Sequence, residues 1–203
     1  MLALGHESYA VCGHDIGGMV AMALAATQRK AVTHLAILDV PLPGWSRWEA
    51  IFSAPRVWHF AFHMKEHLPE RLLHGREYDY VSTFIFDRAF DHGAHGFEDV
   101  EVFAKAFAQP GRVRGGLEWY RAFHKDHADA LAWKRTPLEM PVLGLGGDRR
   151  WGPEMVGMLK EFATNVAGGS VKDCNHWLAE QRPRETADAL LSFLKQAPRG
   201  SAS

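Results

Sequence analysis

Cysteine is nearly missing from this chain: Cys12 and Cys174 are the only two among 203 residues. Two cysteines cannot build a disulfide framework, so they say little about redox compartment. An excess of either charge is missing too. The 23 Lys and Arg stand against 24 Asp and Glu, a formal net charge of −1. That balance argues against a nucleic-acid footprint and against a polybasic membrane surface. Long apolar runs are absent: the strongest, Met19 to Ala26, falls far short of the ~20 residues a spanning helix needs. The N-terminal MLALGHES has neither a basic start nor a long apolar stretch. No signal peptide is visible, and a cytoplasmic location is expected. What is present is a globular composition, 47% hydrophobic and 23% charged, in a chain long enough to bury a sizeable core.

Both ends of the chain share one texture. Tyr9-Ala10-Val11-Cys12 and His34 to Leu38 are short apolar runs flanking a helix-compatible stretch, Met19 to Gln28. Pro141 to Leu145 and Gly169 to Asp173 read as strands around a helix over Pro153 to Thr164. Such alternation predicts strand–helix–strand units and a parallel sheet. Arg184 to Gln196 predicts an amphipathic helix with Ala187, Leu190, Leu191 and Leu194 on its inner face. Between the two ends, Trp45 to Trp133 holds five of the seven tryptophans and no clear strand. Helical stretches there, Arg76 to Phe90 and Phe97 to Gln109, are broken at His92-Gly93 and Pro110-Gly111. The expected division is a core over 1–44, a helical cap over 45–136 and the rest of the core over 137–203. The tail Pro198 to Ser203 is expected to fray.

Gly13-His14-Asp15-Ile16-Gly17 follows a strand and opens a helix, the setting a G-x-nucleophile-x-G elbow requires. A sharp turn there lifts the central side chain to the top of the sheet, and glycines at both flanks are expected to remove clashing Cβ atoms. The central residue is Asp15, not Ser or Cys. A carboxylate is a competent nucleophile at saturated carbon, leaving an alkyl ester that water then hydrolyses. Epoxide opening and carbon–halogen cleavage come forward; ordinary esterase chemistry recedes.

The second half-reaction needs a base and a carboxylate to orient it. Chain order in this architecture is nucleophile, acid, histidine, and His176 in Cys174-Asn175-His176-Trp177 sits late, before the final helix. Two acids compete at strand ends, Asp39 and Asp148. Composition cannot choose, although Asp148 also fits a cap for the helix near Pro153.

The stretches AVCGHDIGGMVAMALA, LAILDVPLPG, RVWHFAF, LEWYRAFHKD, MPVLGLGGD and DCNHWLAEQRP together resemble the α/β-hydrolase-fold epoxide hydrolases and fluoroacetate dehalogenases. The resemblance implies an α/β-hydrolase fold lacking its N-terminal strands, with an all-helical cap inserted in the sheet. It implies Asp15 as nucleophile, His176 as base and Asp39 as the acid. It also implies a cap-borne donor pair for the leaving oxygen or halide, His59 in Val57-Trp58-His59-Phe60 and Tyr120 in Trp119-Tyr120-Arg121. Two donors suit this task because alkoxide charge develops on the oxygen as the ring opens.

The fluoroacetate enzymes carry arginines where this chain has Ile16 and Met19, and a Trp where it has Phe60. Haloalkane dehalogenases place Trp directly after the nucleophile, again Ile16 here. An apolar pocket with one His and one Tyr donor fits an epoxide best. The expectation is a hydrolase that turns a small hydrophobic epoxide and water into a vicinal diol, with no cofactor or metal. A homodimer stays open. A dehalogenase using the same Asp15 is the alternative.

Only about a dozen residues precede the elbow, and no His-Gly-x-Pro oxyanion segment lies among them. The Ile16 amide would supply one oxyanion donor with a second missing, at a cost of ~100- to 1000-fold in rate. A truncated, non-catalytic remnant is therefore the contrasting expectation, as is an exposed sheet edge at the first strand. Paired histidines at His63/His67, His92/His95 and His124/His127 read as solvated helix faces, not metal sites. Gly144-x-Gly146-Gly147 lacks the spacing of a dinucleotide loop, and Cys12 is expected to be packed in the core.

Overall fold

The computed structural model describes residues 1–196; the tail Pro198 to Ser203 lies outside them. Four parallel strands run β1 (Tyr9–His14), β2 (Val32–Leu38), β3 (Val142–Gly147) and β4 (Val166–Val171), in that order across the sheet. Helix α1 (Ile16–Thr27) makes the first crossover and α9 (Gly152–Leu159) the one between β3 and β4. Seven helices lie between β2 and β3: α2 (Trp48–Phe52), α3 (Trp58–His63), α4 (Leu68–Leu73), α5 (Glu77–Phe86), α6 (Phe97–Phe107), α7 (Arg112–Arg121) and α8 (Phe123–Trp133). The chain ends with α10 (Leu178–Gln181) and α11 (Pro183–Leu194).

The apolar runs explain the layering. Every residue of β3 is buried, and all but one of β2, as expected of strands covered on both faces. Side chains alternate across the sheet. Leu35 and Ile37 join α1 and α9 through Met19, Met22, Met155 and Leu159. Ala36, Leu38, Leu143 and Leu145 face Leu178 and Phe193 of α10 and α11. The first of these clusters continues through Trp48, Phe60 and Phe123, so the helical segment shares its apolar packing with the sheet.

Several details differ from expectation. Helix α9 stops at Leu159 rather than Thr164, because the chain turns back and Thr164 N–H bonds Leu138 O at 2.9 Å. Strand β4 begins three residues early, since Val166 and Ala167 already pair with Val142 and Leu143. Helix α11 buries Thr186 and Phe193, with Ala189 and Leu190 beside them, while Ala187, Leu191 and Leu194 face outward. Thr186 turns this face inward by bonding Leu178 O at 3.0 Å. Cys12 is exposed, not packed, because β1 is an edge strand. Helix breaks fall as expected, in a 3-10 turn at His92–Ala94 and at Gly111, whose φ of 79° ends the run before α7.

Candidate active site

The carboxyl ends of all four strands converge, the usual place for a site in an open parallel sheet. Asp15 follows β1, Asp39 follows β2, Asp148 follows β3 and His176 lies in the loop after β4. Asp15 stands in the turn between β1 and α1 with φ 52° and ψ −131°, a backbone state that costs a non-glycine residue ~1–3 kcal/mol. Only one flanking glycine is sterically required. A Cβ on Gly13 would lie 2.0 Å from Gly17 O, whereas one on Gly17 would meet nothing within 4 Å.

Three of the expected site residues form one hydrogen-bonded chain. The Asp15 Oδ2 and His176 Nε2 atoms are 2.9 Å apart, and His176 Nδ1 is 2.7 Å from Asp39 Oδ2. Asp39 is fully buried, and its Oδ1 accepts the Gly147 and Trp151 N–H groups at 3.0 and 3.1 Å. The glycine Gly146 near the end of β3 makes room for this: a Cβ there would sit 2.6 Å from Asp39 Oδ1. Its neighbour Gly147 makes room for the loop that carries His176, since a Cβ there would sit 1.9 Å from Asn175 O. Asp148 has a different task. It accepts the Cys174 N–H at 3.2 Å and makes no cap, the residue before α9 being Trp151.

Charges in this chain are strongly coupled. Burial works to raise the Asp15 carboxyl, but the His176 charge and hydrogen bond, with His14 and His59, outweigh it and hold Asp15 well below the usual carboxylate range. Burial likewise disfavours a charged His176, yet the Asp15 charge and the bonds to Asp15 and Asp39 raise it to about 9. The resting pair is therefore carboxylate and imidazolium.

His59 and Tyr120 come from α3 and α7 and lie side by side, ring centroids 5.7 Å apart. Burial, then Arg88 and His63, hold His59 low, at about 2. Burial and the Asp15 charge push the Tyr120 phenol up. Tyr120, His63, Tyr80, Phe84, Trp119 and Trp177 line a cavity of about 410 Å³ that reaches Ile16 beside the elbow.

Sequence reasoning missed several neighbours. His14 bonds His176 O at 2.8 Å and its ring lies 4.6 Å from that of His176. Arg88 donates to His59 Nδ1 at 3.2 Å, and its carbonyl accepts the His176 N–H at 3.1 Å. Trp177 Nε1–H bonds Ile85 O at 2.8 Å, and buried Gln181 Oε1 takes N–H groups from Phe90 and Asn175, both at 3.1 Å. His14, Trp177 and Gln181 stand inside motif stretches already singled out, but nothing local assigns them these bonds, and Arg88 lies outside every such motif. Two of the six paired histidines are corrected outright. His63 and His95 are buried, not solvated, and His63 bonds the Tyr80 hydroxyl. His67, four residues on, is exposed, and no group of three or more potential metal ligands occurs among the described residues.

The sequence profile of the alpha/beta hydrolase family matches residues 2–189. This chain belongs to that family. Among curated members it is 30% identical to the soluble epoxide hydrolase of Corynebacterium sp. (strain C12), covering 94% of this chain and 68% of that one. It is 27% identical to a fluoroacetate dehalogenase of Burkholderia sp., with 98% and 68% covered. The solved structure of the epoxide hydrolase CorEH superposes with a TM-score of 0.84 at 28% identity, covering 95% and 70%. The chain is thus an epoxide-hydrolase-like alpha/beta hydrolase that spans roughly two thirds of these relatives' length. Among the described residues no helix is long and apolar enough to cross a membrane.

Proposed function

We propose that this chain opens a small hydrophobic epoxide to a vicinal diol through an ester on Asp15. The observation that carries the reading is the Asp15–His176–Asp39 chain beside an apolar cavity. His176 occupies Asp15 Oδ2, which leaves Oδ1 as the attacking atom. As Oδ1 bonds to a ring carbon, the carbon–oxygen bond breaks and its electron pair stays on oxygen, where His59 and Tyr120 donate hydrogen bonds.

Ester formation removes the negative charge of Asp15. The largest influence holding the His176 proton then disappears, so the imidazolium can give that proton up and become the neutral base. Its proton goes, in net terms, to the alkoxide. Neutral His176, oriented by Asp39, next takes a proton from water, and the oxygen attacks the ester carbonyl. Diol leaves, and Asp15 carboxylate and His176 imidazolium are restored, so atoms and charges balance. The Ile16 amide, at the start of α1 where helix N–H groups lack internal partners, faces the ester oxyanion role.

Ile16 and Met19 carry no charge, and Met19 is buried in the core, so the carboxylate-binding arginines of a haloacid enzyme have no counterpart at these positions. Helices α2 to α8 serve in this reading as the cap. A His176→Gln variant incubated with styrene oxide should gain the epoxide's mass on Asp15, and Asp15→Asn should not. Folded protein that takes no adduct would overturn the reading and leave a non-catalytic remnant. An adduct from a halocarboxylic acid instead would transfer it to dehalogenation.

A further inference from the structure

Arg88 lies in the turn after α5 and is only 7% exposed. Burying a guanidinium is costly, and a carboxylate partner would be the usual remedy. Arg88 has other contacts. Its Nη1 donates to Phe84 O at 3.3 Å, its Cζ lies 4.1 Å from the Phe84 ring centroid, and its Nη2 donates to His59 Nδ1 at 3.2 Å. A guanidinium has five N–H donors and no acceptor. Facing it, His59 Nδ1 can only accept, because a proton there would set two donors against each other. In neutral imidazole the proton must then sit on Nε2.

We infer that Arg88 is a positioning residue that fixes His59 as its Nε2–H tautomer, so that a single defined N–H faces the oxygen released from the epoxide. The inference rests on the epoxide-opening reading above. Arginine holds its proton throughout the working range, so the group facing Nδ1 stays a donor at every working pH. The surroundings of His59 support a neutral ring. Besides Arg88, it faces His63 on its own helix with ring centroids 5.5 Å apart, Tyr120 from α7 at 5.7 Å, Asp15 from the elbow and Arg150 from the turn after β3. Burial and the cations Arg88 and Arg150 disfavour a charged His59, and Asp15 alone among these groups favours it. Neutral histidine as an electrophilic donor is an established catalytic device.

The backbone of Arg88 reinforces the arrangement. Its carbonyl receives the His176 N–H, so one residue sets the place of the base through its main chain and the tautomer of His59 through its side chain.

Long-range ¹⁵N–¹H spectra of the full chain, with His59 assigned by the signal lost in His59→Gln, test this directly. The parent protein should show His59 protonated at Nε2 and bare at Nδ1. In Arg88→Met the ring should become a tautomer mixture and titrate at higher pH than in the parent. Ester formation on Asp15 should fall ~100-fold and recover as pH drops through the new titration, because imidazolium donates from both nitrogens. Hydrolysis of ester already formed should keep its rate. Arg88→Lys, which retains a cationic donor, should keep most of the tautomer and rate. A parent His59 protonated at Nδ1, an unchanged tautomer in Arg88→Met, or equal slowing of both half-reactions would overturn the proposal. The spectra need no turnover, so failure of Asp15 to take an adduct would sink the epoxide reading while leaving the tautomer result to stand by itself.

Discussion

Asp39→Asn offers the sharpest test of the hydrogen-bonded chain. Asp39 Oδ1 accepts two backbone N–H groups, and Oδ2 faces His176 Nδ1 at 2.7 Å. An asparagine has one acceptor oxygen to place. Aimed at Gly147 and Trp151, it satisfies both amides and turns its NH₂ toward His176. The opposite orientation would confront two buried donors with donors, at ~1–3 kcal/mol each, so the first prevails. In the ester, where His176 is neutral, Nδ1 must then accept, and the proton moves to Nε2, the nitrogen facing Asp15. Water meets an N–H where it needs a lone pair. The equivalent exchange in a serine-protease triad costs about 10⁴-fold with geometry preserved, or about 5 kcal/mol at 1.36 kcal/mol per decade. The loss should fall on ester hydrolysis, because attack by Asp15 Oδ1 does not use that lone pair. Rapid-quench intact-mass measurement with styrene oxide should therefore show ester rising toward one per chain and then decaying slowly. Turnover within tenfold of the parent, or slow turnover without accumulated ester, would refute the assigned orientation.

Stability should peak near pH 6.5. His176 is raised from 6.5 to about 9, so its contribution is complete below 6.5 and drains away as pH rises through 9; His176→Gln should flatten that alkaline limb of the thermal midpoint. His59 and His63 are lowered to about 2 and about 4, so below 6.5 the unfolded chain gains protons that the folded chain refuses, and stability falls with pH; His63→Phe should soften the acid limb. Gly13→Ala should cost at least ~3 kcal/mol in chemical denaturation, since its Cβ meets backbone that cannot yield, while Gly17→Ala should be neutral or stabilise by up to ~1 kcal/mol; comparable losses at both would contradict the elbow geometry. An aromatic disulfide reagent should titrate one thiol in the folded chain, exposed Cys12, and two after unfolding, because Cys174 is buried and burial pushes it up to about 12.

What could be read from the sequence was what neighbouring residues decide among themselves. The elbow announces itself because strand, glycine, acid and helix are contiguous from Tyr9 to Thr27. The alternation of strands and helices is equally local. Which acid stands behind His176 is not, for it depends on how β2 and β3 register and on Gly146, which leaves room for the Asp39 carboxylate. The inward face of α11 escaped for a related reason: two apolar stripes are available, and a single Thr186 bond selects between them. Arg88 gave no sign at all, since His59 and His176, the site residues it touches, lie far away along the chain.

The bonds from Ile85, Arg88 and Phe90 to the residues around His176 have a mechanical consequence. They rivet the end of α5 to the loop that carries the base, so swinging this flank outward would tear His176 from Asp15. Phe103 and Trp119 also line the cavity, and about half of each meets solvent, so a substrate entering past them leaves those bonds intact. The doorway is thereby separated from the working parts. Bulk can be sorted at the half-exposed Phe103 and Trp119, while the ends of β1, β2 and β4, which carry Asp15, Asp39 and His176, hold still.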